Sequence, residues 1–274
     1  MKVGFIGTGN MGRILVEAFI EGKAVSPSSL FITNRTITKA LELGKAYPDI
    51  IVEKNAVEVA KKANLLFMCV KPNDMFICLQ NIIPHLTNDH CVVSITSPIS
   101  VQQLEAVLPC STARAIPSIT NRALVGVSLV TFGEHCTPKW KHKLTHMLER
   151  ISTPMQIEEN ITRVASDIVS CGPAFFSYLT RRFINAAVSE TDIDEEAATK
   201  LASEMLIGLG ELLKKGIYTL PTLQEKVCVK GGITGEGIKV LESELGDMFE
   251  HLFKATHLKF HEDVEETKKQ FTLN

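Results

Sequence analysis

Met1-Lys-Val-Gly-Phe-Ile-Gly-Thr-Gly-Asn-Met-Gly12 opens the chain and decides how the rest is read. Val3 to Ile6 is a short apolar run, as a buried strand requires, and it breaks into Gly7-x-Gly9-x-x-Gly12. Met11, Ile14, Leu15, Ala18 and Phe19 then recur at helical spacing. Strand, glycine turn and helix in that order are the context of a dinucleotide fingerprint. Gly7 permits the tight turn, Gly9 lets the backbone approach a pyrophosphate, and Gly12 lets helix and strand pack closely. The helix start adds unpaired N–H groups and the positive end of its dipole. A bare glycine-rich turn would carry the same three residues, but the flanking elements are those a ligand site needs.

Working outward, Ser29 to Thr36 reads as a second strand ending in the polar turn Asn34-Arg35-Thr36. An NAD site places an acidic residue roughly 20 residues beyond the glycines to take the ribose 2′-hydroxyl. Here a guanidinium and two small polar side chains stand instead, a set suited to a 2′-phosphate and hence to NADP. Helix is expected over Thr38–Ala46, strand over Ile50–Val52 and helix over Asn55–Ala63. The apolar run Asn64–Val70 then ends in Lys71-Pro72, which stops the strand and leaves a basic side chain at the carboxyl edge of the sheet. Helix Phe76–Ile83, strand Cys91–Ile95, helix Val101–Val107, strands Arg114–Pro117 and Val125–Phe132, and helix Pro138–Arg150 continue the alternation. Such alternation specifies an α/β doubly wound, Rossmann-type domain over residues 1–155.

From Ile161 the pattern is helical only. Pro173–Glu190 is amphipathic, Asp192 with Glu195 reads as a capping box for Ile193–Lys215, and Gly216 reads as its C-cap. A short segment at Pro221–Val227, then helices Gly235–Leu245 and Asp247–Lys269, complete an all-α domain over 156–274, with Glu262–Asn274 as a fraying end. This domain is small yet rich in Leu, Met and Phe, so its apolar faces are expected to meet a second copy in a homodimer.

Composition narrows the function classes. The 274 residues suit about two domains of ~100–200 residues. Net charge is −2, with 29 basic and 31 acidic residues interspersed, so neither nucleic acid nor a membrane surface is an expected partner. No apolar run approaches the ~20 residues of a membrane span. The 7 cysteines form no CxxC pair or Cys/His cluster, which argues against zinc and disulfides and for a cytoplasmic protein. His85, His90 and His135 read as solvated loop residues. His142 and His146 make an i, i+4 pair without a third ligand, so no metal is expected.

Two glycine turns precede helices in the second half, Ser170-Cys-Gly-Pro-Ala174 and Gly231-Gly-Ile-Thr234. The amides of Gly232, Ile233 and Thr234 can cradle a small carboxylate, and the Thr234 hydroxyl can donate or accept a hydrogen bond. With Gly4–Met11, Asn34–Thr36, Val70–Pro72, Val92–Ile95, Ala123–Gly126, Cys171–Ala174 and Lys230–Thr234 in this order, the chain resembles the Δ1-pyrroline-5-carboxylate reductase family along its whole length. The resemblance implies NAD(P)H-dependent reduction of a cyclic imine, Δ1-pyrroline-5-carboxylate, to L-proline, on a Rossmann domain joined to a helical dimerisation domain. It implies that Gly7, Thr8, Gly9, Asn10, Met11, Asn34, Arg35, Thr36, Asn55, Val70, Lys71 and Pro72 face the cofactor. It further implies that Gly231, Gly232, Ile233 and Thr234 hold the substrate's carboxylate and ring nitrogen, with Thr234 the catalytic contact.

The cofactor side keeps the family pattern and the substrate side departs from it. The family's Pro-Asn-Thr-Pro is Pro117-Ser-Ile-Thr120, followed by about two extra residues, Asn121 and Arg122, and its Ala-Ala-Gly is Thr96-Ser97-Pro98. Its Ser-Gly-Ser-Gly-Pro is Val169-Ser-Cys-Gly-Pro173, and its Ser-Pro-Gly-Gly-Thr-Thr is Val229-Lys-Gly-Gly-Ile-Thr234. Arg122 and Lys230 are expected to add positive charge near the substrate. The pattern is similar to the divergent ComER-type bacterial branch of late-competence operons. An NADP-binding regulatory homologue with lost or altered substrate specificity is therefore the alternative. A β-hydroxyacid dehydrogenase would need a lysine one turn into the helix after Gly172, and Pro173–Thr180 has none.

Overall fold

The computed structural model describes residues 1–271. Strands β1 (Val3–Ile6), β2 (Leu30–Thr33), β3 (Ile51–Val52), β4 (Leu65–Met68), β5 (Cys91–Ser94), β6 (Ser111–Ile116), β7 (Val127–Phe132) and β8 (Thr153–Gln156) form one sheet. Its order is β3-β2-β1-β4-β5-β6-β7-β8. All neighbours run parallel except β6 and β7, where Ala113 faces Phe132 and Ile116 faces Leu129 in antiparallel register. Between the strands come helices α1 (Asn10–Glu21), α2 (Ile37–Ala46), α3 (Ala56–Lys62), α4 (Pro72–Ile82), α5 (Val101–Val107) and α6 (Pro138–Glu149).

The central strands are apolar throughout because both sheet faces are covered. Val3, Phe5, Leu65 and Phe67 point to one side, where they pack with Leu15, Phe19, Trp140 and Leu144. Ile6, Leu66 and Met68, the alternate positions, pack with Val59, Met75, Leu79 and Leu104 on the other. Phe5 and Phe67 stack at 4.9 Å beneath the glycine turn, so the turn rests on a rigid floor.

Several expectations shift. Strand β8 goes beyond what the sequence pattern specifies, because Thr153–Gln156 is a half-exposed edge strand holding Pro154, with no alternation to mark it. Pro72 does not merely stop β4; it opens α4 in its first turn, where its missing N–H costs nothing. His90 is buried rather than solvated, with Nδ1 3.0 Å from the Thr87 hydroxyl and Nε2 3.3 Å from the Ala60 carbonyl.

Beyond β8, α7 (Thr162–Ser166) runs into a π-turn at Asp167–Cys171. Helices α8 (Gly172–Glu190), α9 (Glu195–Lys214), α10 (Leu220–Val227), α11 (Ile233–Glu244) and α12 (Met248–Phe271) follow. The cap of α9 is Asp194, whose carboxylate accepts from Ala197 N at 2.8 Å, not Asp192. Two compact units result: Met1–Pro173 with the segment from Phe253 onward, and Ala174–Leu252.

The tail up to Phe271 does not fray; residues 272–274 lie outside the described chain. Thr267 is fully buried, with its hydroxyl donating to the Pro98 carbonyl at 3.2 Å. Phe271 meets Phe76 edge-on at 5.0 Å. The segment Phe253–Phe271 is thereby a packed element of the sheet unit, which its polar composition conceals.

Candidate functional site

The glycine turn sits at the carboxyl end of β1, the third strand in the sheet order, beside the point where the order reverses to β4. Open α/β sheets bind ligands in that crevice. Gly7 has φ +105°, and a Cβ there would lie 2.3 Å from the Cys69 carbonyl oxygen. A Cβ on Gly12 would lie 2.2 Å from the Gly7 carbonyl oxygen. Both glycines are thus required by the protein itself. Gly9 differs: among the described residues, no atom lies within 4 Å of where its Cβ would be. It is the N-cap of α1 without any side-chain cap, so the first-turn amides of the helix have no side-chain acceptor. The Thr8 hydroxyl beside it is buried, with no hydrogen-bond partner among the described residues.

Asn34 joins the second strand's turn to this loop. Its Oδ1 accepts from Thr8 N at 2.9 Å and its Nδ2 donates to the Thr36 carbonyl at 3.0 Å. Arg35 stands exposed at the rim, with Nη1 3.1 Å from Asp74 Oδ1 in the first turn of α4. Val70 and Lys71 follow β4, and Lys71 is the N-cap of α4. The residues after β1, β2 and β4 therefore meet at one sheet edge. Asn55 uses its side chain to cap α3, accepting from Glu58 N at 3.0 Å. An open glycine, an uncapped helix start and a rim arginine fit a dinucleotide phosphate. Burial pushes the Cys78 thiol up to about 11 and the Cys110 thiol up to about 12, so neither is a ready nucleophile.

In the helical unit, Gly231 takes φ +77° and Gly232 caps α11 without a side-chain bond. The turn Gly231–Thr234 therefore presents backbone amides at a helix N-terminus, with Thr234 in the first turn and Ile233 93% exposed. The unit's own core is small, centred on Ile184, Ala198 and Ala202. Phe176, Phe183, Leu201, Ile207 and Leu220 are all more than half exposed.

Two altered segments on the sheet unit turn out to be joined. Ser118 Oγ donates to the Val169 carbonyl and Ser170 Oγ donates to the Pro117 carbonyl, both at 2.8 Å. Asn121, fully buried, secures the extra residues: Oδ1 accepts from Ser118 N at 2.8 Å, and Nδ2 donates to the Val125 carbonyl at 3.0 Å. Arg122 does not stand as an unbalanced charge. It is held by Glu17 at 2.9 Å and by Glu21, both on α1. Lys230 is exposed.

Two charged clusters are each built around a buried charge, Arg114 in one and Asp167 in the other. Arg114, 1% exposed, donates to Glu159 through both terminal nitrogens at 2.8 and 2.9 Å, and to the Ser97 and Ile99 carbonyls at 3.2 and 3.3 Å. The altered segment Thr96–Pro98 is thereby gripped by Arg114 and Thr267 together. Asp167, in the π-turn, lies 2.8 Å from Arg163 and accepts from the Thr256 hydroxyl at 2.8 Å. A charge inside an apolar strand is the available signal for Arg114. For Asp167 the one local sign is Arg163 four residues before it, since its threonine partner lies 89 positions away.

The family described as "Pyrroline-5-carboxylate reductase dimerisation" matches residues 159–263, and that described as "NADP oxidoreductase coenzyme F420-dependent" matches residues 2–98. ComE operon protein 4 of Bacillus subtilis is 56% identical over 99% of both chains. Pyrroline-5-carboxylate reductase 3 of the same organism is 28% identical over 98% of this chain and 99% of its own. Among solved structures, the Plasmodium falciparum pyrroline carboxylate reductase with NADP bound superposes with TM-score 0.82 at 20% identity, covering 99% of this chain and 98% of its own. The Streptococcus pyogenes 1-pyrroline-5-carboxylate reductase gives TM-score 0.78 at 18% identity, over 98% of each chain.

Proposed function

The chain belongs to the pyrroline-5-carboxylate reductase family, and on that premise we propose that it is an NADP-dependent reductase of a cyclic imine, with Δ1-pyrroline-5-carboxylate as leading substrate and L-proline as product. The observation that carries this reading is the uncapped start of α1 beside an open Gly9, in a chain whose Gly231–Thr234 turn offers a second uncapped helix start. Residues 1–155 serve as the NAD(P)-binding domain; of 156–274, the compact helical unit Ala174–Leu252 serves substrate binding and dimerisation, while Phe253–Phe271 packs with the sheet unit. The exposed apolar side chains of the helical unit support a homodimer. Free cysteines in a chain without CxxC pairs support a cytoplasmic enzyme. Among the described residues no helix is long and apolar enough to cross a membrane.

The residues divide the work. Backbone amides of Gly9, Asn10 and Met11 bind the pyrophosphate, with Gly7 and Thr8 shaping the turn. Asn34, Arg35 and Thr36 take the ribose 2′-phosphate; Asn55, Val70, Lys71 and Pro72 border the rest of the cofactor. NADPH, when bound, supplies the hydride. Gly231, Gly232 and Ile233 hold the substrate carboxylate through backbone N–H groups, and the Thr234 hydroxyl hydrogen-bonds the ring nitrogen. That nitrogen is basic enough to carry its own proton, so no strong side-chain acid is needed and orientation provides the catalysis.

Thr234→Ala tests the assignment. With one hydrogen bond to a charged partner lost, kcat/KM is expected to fall about tenfold to a hundredfold, with NADPH affinity intact. Unchanged kcat/KM contradicts the role.

A second reading has its own support. Identity of 56% to ComE operon protein 4, against 28% to a named reductase, coincides with the altered substrate-side segments. An NADP-binding regulatory homologue with lost or altered specificity fits that contrast. The direct bonds between Pro117–Ser118 and Val169–Ser170 favour a changed specificity over decay, because the altered segments form one satisfied network.

A further inference from the structure

The ion pair between Arg35 and Asp74 has an informative position. Arg35 follows β2 and Asp74 lies in the first turn of the helix that follows β4. These strands are the two neighbours of β1. A bond between the residues that follow them bridges the segments on either side of β1, at the sheet edge where the glycine turn begins. The guanidinium is 81% exposed and the carboxylate 40% exposed, and among the described residues Asp74 is the one ion-pair partner that holds the arginine at the rim. We propose that Asp74 is a specificity-determining residue: its carboxylate occupies the face of Arg35 that a ribose 2′-phosphate would use, and so tempers the preference for NADP over NAD.

The inference rests on the nucleotide reading above and deepens it. A 2′-phosphate entering the rim must displace Asp74 from Arg35 and meets its negative charge as well. A nucleotide with a 2′-hydroxyl has no such competition. The carboxylate therefore weakens one cofactor and spares the other. An exposed pair is easily exchanged, which suits a modulating role rather than a lock.

Binding measured with adenosine 2′,5′-bisphosphate and with 5′-AMP isolates the effect from turnover, and NADPH and NADH titrations extend it. Asp74→Asn is expected to tighten the bisphosphate and NADPH about threefold to tenfold, and to leave 5′-AMP and NADH within about twofold. In an Arg35→Ala background, the same change is expected to give less than half that gain, since the contested partner is gone. An equal gain with and without Arg35, an unchanged ratio between the two ligands, or a loss of bisphosphate affinity would each overturn the proposal. A wild-type protein that binds neither NADPH nor NADH would overturn the nucleotide reading, and this inference with it.

Discussion

Gly9→Ala is expected to melt at the wild-type temperature and to bind NADPH roughly ten- to a hundredfold more weakly. Among the described residues no atom lies within 4 Å of the added methyl, and Gly9 has φ −70°, which alanine adopts freely. Folding therefore does not feel the change. A pyrophosphate laid on the start of α1 does, because the methyl stands where its oxygens approach; overpacking of that kind costs about 1–3 kcal/mol. Gly12→Ala makes the contrast. Its Cβ would meet the Gly7 carbonyl oxygen at 2.2 Å, so both stability and affinity are expected to fall. Thermal melts beside NADPH titrations of the two variants separate a glycine kept for the ligand from one kept for the fold. If Gly9→Ala binds NADPH as the wild type does, the turn is not the pyrophosphate site.

Arg114→Ala is the variant with the largest expected effect on stability, about 2–4 kcal/mol, from the cavity and the unmade hydrogen bonds it leaves. The guanidinium is 1% exposed and makes bonds to Glu159 and to the Ser97 and Ile99 carbonyls. Truncation leaves carbonyl oxygens without donors and opens a cavity behind β6. The melting temperature is expected to drop by roughly 10 °C for a chain of this size. Arg114→Lys is expected to recover little, because an ammonium cannot reproduce the two-pronged contact with Glu159. A denaturation curve within ~1 kcal/mol of wild type would show that the network is dispensable.

How much is legible in the sequence follows from the range of the interactions. The glycine turn, its strand and its helix form from local contacts, and all are readable from periodicity within the first 21 residues. The turns after β2 and β4 are readable because Arg35 and Lys71 stand beside chain breaks at strand ends. The pairing of Arg35 with Asp74 is not, since 39 positions separate them. The same holds for Asp167 with Thr256 and for Thr267 with Pro98, separated by 89 and 169 positions. A polar helix such as Glu262–Phe271 looks solvated in sequence even when one threonine and one phenylalanine anchor it. Arg122 reads as an unbalanced charge in the sequence because Glu17 and Glu21, its partners, lie about a hundred residues earlier.

Imine reduction is a chemical claim, and one assay addresses it most directly: NADPH oxidation by the purified protein with Δ1-pyrroline-5-carboxylate, followed by absorbance and by detection of proline. The expected result is proline formed in step with NADPH consumed, and slower turnover with NADH. NADPH bound tightly with no proline formed would contradict the claim and leave the regulatory homologue, or an enzyme of another imine, as the reading that stands.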